Sequence, residues 1–197
     1  PHFGDRATLG GTIACGLSGP ARPFAGAARD QVLGVKLING RGELLKFGGQ
    51  VMKNVAGSDV SRLMCGAMGT LGLLLEVSLN VVPAAGAEIT LRREMSAEGA
   101  LQQMLQSAAL PLPLTAACYD GSAVYLRLSS TNDAVAAAAK KLVGYTVVDS
   151  GLFWQQLREQ RLAFFNDSRP LWRLSVPVSS AIFTLPGDQL IDWGGAQ

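Results

Sequence analysis

Charge is what this sequence has least of. Asp, Glu, Lys and Arg make up 16% of its 197 residues, against about 25% in ordinary soluble proteins, while apolar residues reach 48%. A net charge of +2 gives no ground for nucleic acid or an anionic membrane surface as partner. There is one histidine, His2, near the start, so chemistry built on several histidines is excluded and His2 reads as a bystander. Three cysteines, Cys15, Cys65 and Cys118, lie far apart without any C-x-x-C, which excludes a disulfide framework, a zinc site and an iron-sulfur site within the chain. No apolar run is long enough to span a membrane: residues 99–119, the longest uncharged stretch, contain three glutamines and two prolines. A sparsely charged surface that no bilayer explains reads as surface covered by other protein. The chain opens on Pro1 with no initiator Met and no signal peptide, so it reads as a fragment, and its scattered cysteines fit a reducing cytoplasm. Without a secretion signal, the acceptor-like Asn166-Asp167-Ser168 reads as a plain loop.

What the chain does have is glycine in two clusters. Residues 7–19, ATLGGTIACGLSG, hold Gly10, Gly11, Gly16 and Gly19 among small and hydroxyl residues. Such a segment builds no core, but it lets main-chain N–H groups come close to a large polar ligand. In residues 66–83, Gly66, Gly69 and Gly72 run into an apolar strand as G-x-x-G-x-x-G. The dinucleotide fingerprint is G-x-G-x-x-G and must open a helix, so nicotinamide binding is disfavoured.

Residues 32–38 and 44–47 form a hairpin across Asn39-Gly40-Arg41-Gly42, whose Asn-Gly pair tolerates positive φ. A short helix over 59–65, capped by Ser58 or Asp59, and a strand over 73–81 follow. After residues 83–86 the pattern becomes βαββαβ: strand 88–93, helix 96–109, strands 115–119 and 122–129, helix 131–143 and strand 145–149. Leu101, Met104, Leu105, Ala108 and Ala109 mark the buried face of the first helix behind a Ser96 cap, and Thr131 or Asn132 precedes the second. A third helix over 151–164, with Phe153, Leu157 and Phe164 on one face, and a strand over 171–176 complete a ferredoxin-like cap.

Taken in order, PHFGDRATLGG, RDQVLGVKLINGRGELLKFGG, KNVAGSDVSRL, GAMGTLG, LWRLSVP and LPGDQLIDWGGA resemble the vanillyl-alcohol oxidase superfamily with its PCMH-type FAD-binding domain, and within it the FAD-binding subunits of bacterial glycolate oxidases. The resemblance implies an α+β protein. Residues 1–85 would be the second half of the FAD-binding domain, an antiparallel sheet with short helices; 86–180 the cap; and 181–197 the start of a segment returning to the flavin domain. It implies cofactor contact by Thr8, Gly10, Gly11, Thr12, Ala14, Ser18 and Gly19, and by Gly69, Gly72, Leu73 and Leu74 through main-chain groups, with residues 14–19 facing the isoalloxazine. Cys15 and Gly16 stand where family members often carry Thr-Asn. Lys53, Asn54, Gly57 and Asp59 match a family stretch read as structural, with Lys53 able to pair with Asp59.

The activity implied is oxidation of glycolate to glyoxylate with FAD as electron carrier, in a complex with a second flavoprotein subunit and an iron-sulfur subunit, cytoplasmic or held at the inner membrane face by its partners. No catalytic base is visible, and Arg127, Arg158, Arg161, Arg169 and Arg173 read as solvating helix faces in preference to binding a carboxylate. Two other readings stay open: an autonomous FAD-dependent dehydrogenase of a D-2-hydroxy acid, and an assembly subunit that keeps the fold without flavin. The resemblance also implies that a preceding segment of parallel strands supplies the loop gripping the FAD pyrophosphate, so this chain is expected to hold no FAD by itself and to self-associate through residues 1–85.

Overall fold

The computed structural model describes residues 2–49, 58–149 and 151–197. Its contacts divide the chain into two compact units, one of residues 1–19 and 26–83 and one of residues 20–25 and 84–197.

The first unit is built on a three-stranded antiparallel sheet. β1 (Val32–Ile38) is central, between β2 (Leu44–Gly48) and β3 (Leu73–Leu79). Alternation along β1 sends Val35 and Leu37 inward, where they meet Ile13 of α1 (Leu9–Cys15) and Met64 beside α3 (Val60–Leu63). A short α2 (Arg22–Ala25) belongs to the other unit. The β1–β2 turn departs from the expected Asn-Gly geometry. Positive φ falls on Gly42 (77°), while Asn39 acts through its side chain, Oδ1 accepting from the N–H groups of Arg41 (2.9 Å) and Glu43 (3.0 Å). Asp59 caps α3 by accepting from Arg62 N–H at 3.0 Å and lies 3.5 Å from the Arg62 side chain. Lys53, Asn54 and Gly57 lie outside the described residues.

The second unit carries the βαββαβ order: β4 (Ala87–Glu94), α4 (Ala97–Ala109), β5 (Leu114–Tyr119), β6 (Ala123–Ser130), α5 (Asn132–Lys141) and β7 (Thr146–Val148). The strands lie β5-β6-β4-β7, all antiparallel, which is the ferredoxin-like arrangement. Helix starts follow their side-chain caps: Ser96 Oγ accepts from Gly99 N–H and Thr131 Oγ1 from Ala134 N–H. The buried stripe of α4 is Ala100, Met104 and Ser107, so it is turned from the expected one, and Ala108 and Ala109 are exposed. Ala100 and Ser107 are small enough to let the helix approach the sheet closely, and Gln103 Nε2 donates to the hidden Ser107 hydroxyl.

α6 (Gly151–Arg158) packs with Trp154 and Leu157 against Ala116 and Cys118, a separate cluster from the one that α4 and α5 cover. The helix expected over 151–164 ends early: Gln160 has φ 55°, and Phe164 falls in a separate short 3-10 turn, Ala163–Asn166. The strand expected over 171–176 does not form. Leu171 and Trp172 are exposed, and Val176 N–H donates to Ala196 C=O outside any strand. Without a neighbouring strand to pair with, an apolar run has no ladder to join.

Candidate functional site

Within the first unit the fold joins the two glycine clusters. α1 begins at Thr8, whose Oγ1 accepts from Gly11 N–H at 3.0 Å, and the Thr12 hydroxyl donates to Thr8 C=O at 2.9 Å. Both hydroxyls are therefore engaged in holding the helix start. At its other end α1 stops on Gly16, at φ 61°. There the 65–68 segment crosses it: Gly66 N–H donates to Ile13 C=O (3.0 Å) and Met68 N–H to Ala14 C=O (2.9 Å). A Cβ on Gly16 would lie 2.9 Å from the Gly66 backbone, so the crossing requires glycine. Cys15 and Gly16, where the family often has Thr-Asn, thus sit at a backbone junction.

The expected site residues divide by what surrounds them. Gly10 is open: a Cβ there would meet nothing within 4 Å. Gly11 is less free, since its Cβ would lie 2.8 Å from the capping Thr8 Oγ1. Gly69 is exposed, at φ 78° with open space beside it. Gly72 serves the sheet: its φ is 153° and a Cβ would lie 2.6 Å from Ile38 C=O. Leu73 and Leu74 are in register with Ile38 and Leu37 of β1; Leu74 packs against the core while Leu73 is exposed. Ser18, next to Gly19, keeps a buried Oγ with no hydrogen-bond partner among the described residues. An orphaned hydroxyl is what a polar ligand would satisfy, and the polar groups of a flavin dinucleotide suit it.

Of the arginines, Arg127 does not solvate a helix. It lies on β6, donates through Nε to Thr115 Oγ1 at 3.0 Å, and burial lowers its pKa. Arg169 is held by Asp167 and Asp188, and Arg158 by Glu159. The residue that sequence reasoning missed is Asp192. It is 9% exposed, its Oδ1 is buried without a hydrogen-bond partner among the described residues, and burial lifts its pKa to about 6 against the pull of the Trp193 N–H, Arg173 and Arg127. Nothing in a lone Asp between Ile191 and Trp193 signals burial; its position emerges because Ile191 bridges to Tyr119 of β5.

A three-stranded antiparallel sheet with α1 against it, followed by a ferredoxin-like unit, is an α+β architecture. Residues 1–48 match the family described as FAD binding domain. It is 50% identical over 196 residues to the glycolate oxidase subunit GlcE of Escherichia coli K12, a match covering 100% of this chain and 55% of that relative. It is also 36% identical over 84 residues to the glycolate oxidase subunit GlcD of Bacillus subtilis, covering 43% of this chain and 18% of that one. The chain thus spans about half the length of the first of these relatives and a smaller share of the second. Among solved structures, alkyldihydroxyacetonephosphate synthase superposes with a TM-score of 0.59 over 79% of this chain and 36% of its own, at 16% identity, a likeness of fold.

Proposed function

We propose that the chain is part of an FAD-binding subunit of a glycolate-oxidising complex. The observation carrying this reading is identity to GlcE at 50% along the whole chain, combined with the open Gly10 and orphaned Ser18 beside the α1 junction. Bound FAD supplies the hydride acceptor for a 2-hydroxy acid. This chain's residues bind and orient it. Gly10 lets the α1 backbone approach, Ser18 Oγ offers a hydrogen bond, and Thr8 and Thr12 fix the helix start so that its geometry is set before the ligand arrives. Gly69 and the turn it lies in line the neighbouring backbone.

The described residues contain no cluster of His, Cys, Asp or Glu able to hold a metal ion, and among them no helix is long and apolar enough to cross a membrane. We infer, from the likeness to glycolate oxidase subunits, that the electron route continues in partners, a second flavoprotein subunit and an iron-sulfur subunit, at the inner membrane face. The test is stopped-flow mixing of the purified full-length subunit, flavin content verified, with excess glycolate. Flavin absorbance should persist on a catalytic timescale until the partner subunits are added. Rapid bleaching without them points instead to an autonomous dehydrogenase, and a full-length subunit lacking flavin altogether points to an assembly role.

A further inference from the structure

In the second unit, two guanidinium groups converge on one indole. Arg22 of α2 and Arg173 lie 4.7 Å and 4.9 Å from the ring centroid of Trp193, which is half-buried. A guanidinium laid over a ring uses its face for that contact and keeps its in-plane N–H donors for other partners. Neither Arg22 nor Arg173 makes an ion pair with a carboxylate among the described residues; Arg173 donates to Gln197 Oε1 at 3.0 Å. The other arginines near acids behave differently, since Arg62, Arg92, Arg158 and Arg169 each have one within reach.

Asp192, next in sequence, is buried, and Arg173 acts on its charge from beyond ion-pair distance. The frame is fixed by the backbone. Trp193, Gly194 and Gly195 all have positive φ (54°, 65° and 104°), and the N–H groups of Gly195 and Gln197 both donate to Asp192 C=O, at 3.1 and 3.3 Å. Ile191 exchanges two backbone hydrogen bonds with Tyr119, of 2.7 and 3.0 Å, which anchors the turn to β5.

We propose that Arg22, Arg173 and Trp193 form a binding site for the oxyanion of a small acid, carboxylate or phosphate. The two guanidinium edges supply paired donors and the indole a flat apolar wall. The site does not rest on the flavin reading, and a chain without FAD would retain it.

The experiment is titration calorimetry of the purified protein at fixed ionic strength, with sodium glycolate in one arm, inorganic phosphate in a second and chloride as control. At least one oxyanion should bind saturably above the chloride arm, and the better arm identifies the class. R22Q and R173Q should each weaken that binding by about tenfold or more, as expected for loss of a charge-assisted donor pair. R173Q also removes the bond to Gln197, so circular dichroism and thermal midpoint are measured alongside. If it fails to fold, R22Q decides. No saturable binding in either oxyanion arm, or wild-type affinity in folded R22Q, overturns the proposal.

Discussion

Single side chains give the sharpest tests. Gly10 faces open space, so Gly10→Val should leave the apo fold close to wild type beyond the roughly 0.5 kcal/mol by which a β-branched residue changes helix propensity. Full-length G10V should nevertheless bind FAD at least about tenfold more weakly, because the branched side chain occupies the space the ligand's approach requires. Flavin absorbance per folded protein checks this; wild-type occupancy would remove Gly10 from the site. Gly11→Val is the poorer probe, since its Cβ strikes the helix cap. Asp192 yields a prediction in pH. Its folded-state pKa is raised from 3.8 to about 6, so the folded chain holds a proton that the unfolded chain releases earlier. The associated stability is full below about pH 4 and is lost as pH rises through about 6, amounting to roughly 3 kcal/mol at most. Asp192→Asn should therefore be flat across that window where wild type declines, measured as urea midpoints at a series of pH values. Asp120 acts oppositely: burial pushes its carboxyl up, but the N–H groups of Ala123 and Ser122 outweigh that and lower its pKa. Its contribution falls away at lower pH and cancels in the wild-type minus D192N difference. A D192N profile parallel to wild type would show that the buried carboxyl is not what titrates.

Elements were legible where local chemistry decides them. The β1–β2 hairpin and the Ser96 and Thr131 caps were readable because turn residues and hydroxyls act within three or four positions. The end of α6 and the unpaired 171–176 segment were not, because strand formation needs a neighbour that the segment's own residues do not specify. The role of Gly72 was likewise hidden. A glycine before a strand reads equally as ligand contact or close crossing, and the 2.6 Å approach to Ile38 C=O identifies the crossing. Gly72→Ala should accordingly destabilise the first unit by about 2 kcal/mol or more, through a φ open to few L-residues and a main-chain clash. A urea midpoint unchanged from wild type would contradict that. In the other unit, Met104 is fully buried between α4 and the sheet. Met104→Ala should cost about 2 to 5 kcal/mol through lost contacts and the cavity left behind.

At the scale of the whole chain, low charge and abundant apolar residues become a distribution over surfaces. In the first unit Leu44 and Leu73 are both in register with Ile38, forming an apolar row across the sheet face turned from the core. Leu44 is 59% exposed and Leu73 64%, with Leu75 beside them at 47%. β2 and β3 are also the outer strands of the described sheet, and uncovered edges beside an apolar face are a template for association. The second unit offers a rival surface, since Trp172 is 82% exposed beside Leu171 at 56%. The sheet should dominate, because a flat strand face can pair its backbone as well as its side chains, whereas 171–176 has no strand geometry to extend. The expectation is that the 197-residue chain self-associates in a concentration-dependent way, read by light scattering over a dilution series. Leu73→Lys, which places a charge on the exposed row without touching the core, should shift the distribution toward monomer at wild-type circular dichroism. Trp172→Lys should shift it much less. A monomer at every concentration would refute the association itself, and dispersal by Trp172→Lys alone would move it to the second unit.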